Sequence, residues 1–493
     1  MSVQVETRHP VDEAIDAIPG ITVSRALPRL QDFTGDRSQP SACSPVAIFT
    51  PKGRNELQAL VEVARTVGLR LLPVSSGVPH YRGDTLAAEN TAIVDMSAFS
   101  SVVRVDRRNR VALLEAGVRF PELTKVLANH GLRPLLPLVP RNAKSALAAY
   151  LEREPTIYPR HQWDLADPLL CTEVIFGTGE HFRTGSAAGP GSLEDQWAAG
   201  DAQTNPMGPG QSDLMRVVQG SQGTVGIATW CSIKCRPVPT SEELFVFGSA
   251  DLGPLVEAAY HLLHRKHPEI LFLGDRALLS ALTTGRMADV ASVSGRYPQW
   301  FLAASIAEPP FAGAPKMRLM KGEIGEMARL LNLQRVERTP GGTVEDLLRV
   351  LLEPSRAGSA SWREAGKGNT AEVFFLTTLD RASRFVDIVT AFQARYLRRD
   401  QEPIFYIQPL LGGRSCHFEA SFPHAPEAST ELWRQLPELV RRLRAAGAFF
   451  SRPYGALTAA ATEGSPAARL VSRIQGMFDP DSILSPGNLR ITG

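Results

Sequence analysis

The chain has 493 residues, 43% of them hydrophobic and 21% charged, and a formal charge of +2. That length exceeds what one hydrophobic core serves, so two or three domains are expected. The near-neutral charge gives no reason to expect nucleic acid or an anionic membrane as partner, and no apolar run reaches the roughly 18–20 residues of a membrane span.

Residues 1–43 read as a lead-in with one short helix at 11–17. The first 25 residues mix acids, bases and proline without an apolar core, so no secretory signal is expected and the cytoplasm is the expected compartment. A regular alternation follows: strand 46–50, amphipathic helix 53–67, strand 69–74, strands 93–96 and 111–115, and a helix at 120–130 with a 3.6-residue period. Strand–helix–strand at this spacing predicts an α/β layer. Helical spacing returns at 144–152. Strands 171–176 and 181–183 flank Gly177-Thr178-Gly179, a hairpin signal. The stretch 185–210, rich in Gly, Pro, Ser and Ala around Trp197, is expected to be a functional loop or lid.

After Pro237-Val-Pro239 the order changes. Strands are expected at 244–247, 270–273, 301–306, 372–379, 404–410 and 416–422. Helices are expected at 254–264, 276–284, 317–332, 343–352, 381–396, 431–446 and 467–478. This pattern suits an antiparallel sheet with helices on one face. The segment 357–370 is the candidate mobile stretch, and 449–455 an aromatic strand or turn. The five cysteines (Cys43, Cys171, Cys231, Cys235, Cys416) are scattered. Cys231 and Cys235 share one face of a predicted strand, and a zinc or iron–sulfur site needs about four ligands, so buried thiols are expected.

The stretch that organises the first half is Gln219-Gly220-Ser221-Gln222-Gly223-Thr224-Val225-Gly226-Ile227. Glycine lets a ligand approach the main chain, and such a turn exposes several N–H donors suited to a phosphate or a flat ring edge. Two other unusual loops, 73–83 and 137–145, each follow an apolar segment. Three loops on one domain suggest a long cofactor threaded between them.

Further stretches carry a resemblance: Ser145 to Arg153, Thr172 to Gly185, Gly189-Pro-Gly-Ser192 with Trp197, the turn at Ser221 to Ile227, and the closing Phe478-Asp-Pro-Asp-Ser-Ile-Leu-Ser-Pro-Gly-Asn488. The first half resembles the FAD-binding domain of the vanillyl-alcohol oxidase superfamily, in the branch of vanillyl-alcohol oxidase and 4-cresol dehydrogenase. The resemblance implies an α+β fold: a PCMH-type FAD-binding domain over 44–239, an antiparallel-sheet cap over 240–465, and a C-terminal helix and loop, 466–493, returning to the FAD domain. It implies FAD as cofactor, with the pyrophosphate at Ser75, Ser76, Gly77 and Val78 and with Pro79 and His80 at the loop's end. Ser145, Leu147 and Glu152 carry over to the second loop region. Gly220, Ser221, Gly223, Val225 and Ile227 are expected along the adenine and ribose, and Asn488 closes the set.

Arg452, in Phe449-Phe-Ser-Arg-Pro-Tyr454, matches an arginine that faces the substrate in the family. A guanidinium suits either a phenolate or a carboxylate there. Tyr454 and His417 are candidates to take the substrate proton, with Glu419 and Arg414 orienting the histidine. The chain also departs from the family. Pro140 stands where some phenol oxidases place an acidic base. Val78 and Phe418 stand at the two positions where relatives tether flavin through histidine, so a non-covalent FAD is expected. His417 remains the alternative tether if the register shifts by one.

The expected activity is oxidation of a small alcohol or hydroxylated aromatic compound by hydride transfer to flavin N5. The alternatives are a 2-hydroxy-acid dehydrogenase, a non-catalytic flavin-binding electron-transfer subunit, and a reductase like the cell-wall enolpyruvyl reductases using NADPH. A small-molecule substrate is the expected partner. An electron-acceptor protein and assembly as a homo-oligomer or subunit of a complex complete the expectation.

Overall fold

The structure is a computed structural model that describes residues 9–40, 43–161, 167–188, 191–198, 214–285, 297–308 and 313–489. Its first sheet has β1 (Thr22–Ser24), β2 (Ala47–Thr50), β3 (Arg70–Val74) and β4 (Thr91–Asp95) in the order β1-β2-β4-β3. β2, β3 and β4 run parallel, which requires a crossover, and the helix Arg54–Val67 supplies it. Leu57, Leu60, Val61 and Ala64 of that helix are buried. Gly68, at φ 69°, ends it by donating its N–H to the Ala64 carbonyl.

The second sheet contains β5 (Val102–Asp106), β6 (Val111–Glu115), β7 (Leu132–Pro134), β8 (Leu169–Phe176), β9 (His181–Arg183) and β10 (Gly226–Pro237). β10 is its spine, pairing antiparallel with β6, β7 and β8. Cys231 and Cys235 lie in β10 as buried thiols. The hairpin expected around Gly177-Thr178-Gly179 joins β8 to β9. The strands β1, β5 and β7 are short or half-exposed, and their alternation is too brief to read in the sequence.

A seven-stranded antiparallel sheet follows, in the order β14-β11-β13-β12-β18-β19-β17. Its strands are β11 (Glu242–Ser249), β12 (Leu271–Asp275), β13 (Trp300–Ala307), β14 (Gln334–Arg335), β17 (Asn369–Thr377), β18 (Ile404–Leu410) and β19 (Ser415–His424). A small hairpin, β15 (Arg338–Thr339) with β16 (Gly342–Thr343), stands apart. Side chains alternate across this sheet: Leu271 and Leu273 join one core, Phe272 the other. The long helices Gly253–His264, Gly313–Leu330, Ala382–Tyr396 and Ser429–Ala445 cover the first face. The second face holds the short helices Arg276–Thr284 and Val344–Leu351, together with Leu135, Leu138, Ile157 and Tyr158 from the first half of the chain. The cap sheet is therefore sandwiched, with one side welded to the FAD-side half.

Two segments differ from expectation. Within 357–370, residues 361–365 are buried, with Trp362 Nε1 donating to the Leu138 carbonyl at 3.0 Å, while 357–360 are exposed. Of 449–455, Phe449 pairs with Leu376 and the rest is irregular. In the Gly-rich stretch 185–210, residues 193–198 form a helix, Leu193–Ala198, while 189–190 and 199–210 lie outside the described residues. Among the described residues no helix is long and apolar enough to cross a membrane.

Candidate functional site

A cleft lies where the loops converge. Its walls come from Ser75 and Ser76 after β3, from Arg82, Gly83 and Asp84, from Leu147, Leu151 and Glu152, from Ser221, Gln222 and Gly223, and from Ile227 at the head of β10. Arg452 and Asn488 complete the lining.

Local chemistry explains the convergence. Ser145 caps the helix Ala146–Leu151 by accepting the Ala148 N–H, and its own N–H donates to Ser76 Oγ at 3.2 Å. The first and second loops are thus bolted together. Gly223 has φ 75°, and a Cβ there would meet Ser485 Oγ at 2.6 Å and Pro73 Cγ at 3.0 Å. Only glycine lets the turn, the first loop and the C-terminal segment close up. That last segment docks through a Leu71 N–H to Ile483 carbonyl bond and a Ser485 N–H to Leu71 carbonyl bond, which carries Asn488 into the cleft. Asp479, accepting the Ile483 and Leu484 N–H groups, shapes the turn.

Asn488 Oδ1, Gln222 Oε1 and Ser485 Oγ are buried without a hydrogen-bond partner. Buried acceptors are rarely left so unless something else supplies the donor. Apolar Met96, Leu147, Leu151, Val218 and Ile227 share the same cleft. Orphaned acceptors beside an apolar slot fit a group with a flat ring, ring N–H and sugar-like hydroxyls, as FAD has.

A buried ionic network stands behind the cleft. In β19 the alternation places His417, Glu419 and Ser421 on one face, while Phe418, Ala420 and Phe422 enter the apolar core. Glu419 bonds Arg363 at 2.6 Å, His417 Nε2 at 3.1 Å and the Ser421 hydroxyl at 2.9 Å. Arg82 bonds Glu372 and reaches Glu154 and Glu419, each at 3.4 Å. Burial alone would lower the Arg82 and Arg363 guanidiniums, but Glu372, Glu154 and Glu419 raise them. Burial would push the Glu152 carboxyl up, yet Lys144 and Arg452 hold it at about 2. Arg452 lies 3.4 Å from Glu152 and over the Phe374 ring at 4.9 Å, and burial pulls it below the usual arginine range. Burial pushes the Asp84 carboxyl up; its Oδ2 has no hydrogen-bond partner.

Of the residues singled out in the sequence, Ser75, Ser76, Leu147, Glu152, Ser221, Gly223, Ile227, Arg452 and Asn488 line the cleft. Gly77, Val78, Pro79, Ser145, Gly220 and Val225 belong to the loops but do not line it. Gly77 donates to the Ala143 carbonyl, and Val78 is 51% exposed. His80 is buried behind the loop, stacked on Phe33, with neither ring nitrogen partnered. His417 sits within the ionic network, and burial lowers its imidazole despite Glu419. The Tyr454 hydroxyl accepts the Glu372 N–H at 3.0 Å, and burial holds it well above the usual tyrosine range. Neither lines the cleft. Arg414 is exposed and bonds the Leu411 carbonyl.

Sequence reading passed over Arg82, Asp84, Glu372 and Arg363. The available signal was charge inside apolar surroundings: Glu372 interrupts an apolar strand, and Arg82-Gly-Asp84 ends a loop already marked.

Residues 45–149 match the FAD binding domain family model. The fold is similar to that of p-cresol methylhydroxylase with substrate bound, at a TM-score of 0.80 and 15% identity, covering 98% of this chain and 97% of that one. In sequence the chain is 26% identical over 213 residues to alkyldihydroxyacetonephosphate synthase of Dictyostelium discoideum, covering 41% of this chain and 31% of the relative. It is 23% identical over 195 residues to the mitochondrial D-lactate dehydrogenase (cytochrome) of Arabidopsis thaliana, covering 40% and 31%. The matches span about a third of the length of these two curated relatives. Residues 45–149 thus match an FAD-binding domain, within an α+β fold similar to that of p-cresol methylhydroxylase.

Proposed function

We infer that the chain is an FAD-dependent oxidoreductase acting on a small alcohol or hydroxylated aromatic compound. The observation that carries this reading is the cleft itself, with unpartnered acceptors on Asn488 and Gln222 beside an apolar slot and a matched FAD-binding domain. In this reading Ser75, Ser76, Ser221 and Gly223 hold the phosphates and ribose, Asn488 and Gln222 accept from the ring and its side chain, and bound FAD supplies the hydride acceptor. With no nucleophile at Val78 or Phe418, the cofactor is held non-covalently.

Arg452 offers its guanidinium to an anionic group, since among the described residues it makes no hydrogen bond and has Glu152 as its ion-pair partner at 3.4 Å. The proton acceptor is Asp84 rather than His417 or Tyr454. It lines the cleft and its Oδ2 has no hydrogen-bond partner, leaving that oxygen free to take a proton. For an alcohol, the substrate hydroxyl gives its proton to Asp84 while the carbon bearing it gives up a hydride, leaving a carbonyl; for an alkylphenol, the phenolic hydroxyl gives the proton and the benzylic carbon the hydride, leaving a quinone methide. A 2-hydroxy acid is the second reading, favoured by the cations around the cleft.

The test is an anaerobic screen of alcohols, phenols and hydroxy acids against FAD-loaded protein, followed by absorbance. One class is expected to bleach the flavin, and Asp84→Asn to slow bleaching about 10²- to 10⁴-fold with FAD retained. Loaded protein that no such compound bleaches points instead to a non-catalytic flavin carrier.

A further inference from the structure

One residue of the glycine turn strains its own backbone. Between Gly220 and Gly223, both at φ 75°, Gln222 also takes a positive φ, 54°. A Cβ disfavours this left-handed conformation, so glycine would be the easier residue there. Backbone strain kept in the wall of a cleft points to a task for the side chain.

The Gln222 amide has two ends in different situations. Nε2 donates to the Pro453 carbonyl at 2.6 Å, across 231 positions of sequence. A carbonyl only accepts, so this bond decides which end of the amide is the NH2 group. The other end, Oε1, is buried without a hydrogen-bond partner, and Gln222 lines the cleft. Next to Pro453 in the chain is Arg452, buried in the same cleft wall, with Glu152 as its ion-pair partner at 3.4 Å. The stretch around them is irregular and is held by side chains. The Ala456 N–H donates to Gln39 Oε1 at 3.0 Å, and the Tyr454 hydroxyl accepts the Glu372 N–H at 3.0 Å. Those bonds tie it to the lead-in and to the cap sheet; Gln222 ties it to the glycine turn.

We propose that Gln222 is a positioning residue that couples occupancy of the cleft to the placement of Arg452. This rests on the reading that the cleft takes FAD and that Arg452 faces the substrate. The resonance that flattens a peptide bond also makes the side-chain amide one plane, so a donor held on Oε1 fixes Nε2 against Pro453. A buried acceptor left alone favours conformations that turn it toward water, and these release the carbonyl. A hydroxyl or ring N–H donor from FAD removes that pull, and the tie to the Arg452 segment tightens. The guanidinium is then set for an anionic substrate group once the cofactor has bound, so the two ligands favour each other.

Hydrogen exchange read by mass spectrometry on peptides covering 450–456 tests this, in the purified protein with and without saturating FAD. FAD is expected to slow exchange there about three- to tenfold, the worth of one net hydrogen bond. The slowing is expected to fall below about twofold in Gln222→Leu, which lacks both ends of the amide, and in Gln222→Asn, which is one methylene too short. Asparagine tolerates a positive φ, so that variant decides should the Leu variant fail to fold or to take up FAD. Gln475→Leu cuts another tie to the same turn, the bond from Gln475 Nε2 to Thr224 Oγ1 at 2.9 Å, and is expected to keep the full slowing. A residue that merely stabilised the turn would change exchange equally with and without FAD. The coupling is overturned if both Gln222 variants show the wild-type slowing, or if Gln475→Leu loses it as well. FAD uptake by wild type without slowing overturns the coupling alone, whereas a wild-type protein that takes up no FAD overturns the FAD reading and the coupling together.

Discussion

At the scale of single residues, the site is organised by charges that found partners and a few that did not. His80 is 1% exposed, stacks on Phe33, and has both ring nitrogens unpartnered. Burial, with Arg141 and Lys144 adding to it, brings its imidazole from 6.5 down to about 3. Below pH 6.5 the unfolded chain takes up a proton there that the folded chain refuses. The stability contributed by neutral His80 is therefore full above 6.5 and lost as pH falls toward 3, at about 1.4 kcal/mol per pH unit. His80→Phe keeps the ring against Phe33 and removes the proton. Denaturant midpoints from pH 6.5 to 4.5 are expected to fall less steeply in this variant than in wild type; parallel curves would place the titration elsewhere. Asp36 acts in the opposite sense, because burial and Asp84 raise it to about 7, and both proteins share that contribution. Little of this was readable in advance. His80 could be placed at the end of a loop, but whether a histidine faces a ligand or an apolar wall depends on Phe33, 47 positions earlier in the chain.

At the scale of elements, the loops that carry chemistry were legible because glycine and hydroxyl residues leave a local signature. The glycine turn at 219–227 was legible in this way, and its Gly223 shows why. Alanine at 223 would take a residue with a Cβ to φ 75° and drive that atom into Ser485 and Pro73, costing on the order of 2 kcal/mol or more. Gly223→Ala is expected to fold less stably and to lose FAD on desalting, both measurable from one preparation; full retention would remove the turn from the cofactor's contacts. The anchor within 357–370 was not legible for a physical reason: the composition is polar and small, and Trp362 bonds a carbonyl 224 residues away. Trp362→Ala is expected to cost about 3–5 kcal/mol and to open this segment to limited proteolysis. Unchanged stability and protease resistance would mean the segment is held by Arg363 alone.

At the scale of the whole molecule, the fold was legible from the order of elements and from motifs at both ends of the chain, while the site was legible only in part. Ser75, Ser76, Ser221, Gly223, Arg452 and Asn488 were placed by motif and line the cleft, whereas Arg82, Asp84, Glu372 and Arg363 meet only when the cap sheet closes on the FAD side. Such long-range charge pairing has no local pattern to read. We propose that this cleft holds one FAD without a covalent bond, since Val78 faces solvent and Phe418 lies inside the cap core. The most direct measurement loads the purified protein with FAD, desalts it, denatures it in acid, and weighs the polypeptide beside the flavin in the supernatant. About one free FAD per chain and a polypeptide of unaltered mass are predicted. No flavin retained after desalting, or a polypeptide heavier by one FAD, would rule out non-covalent binding in this cleft.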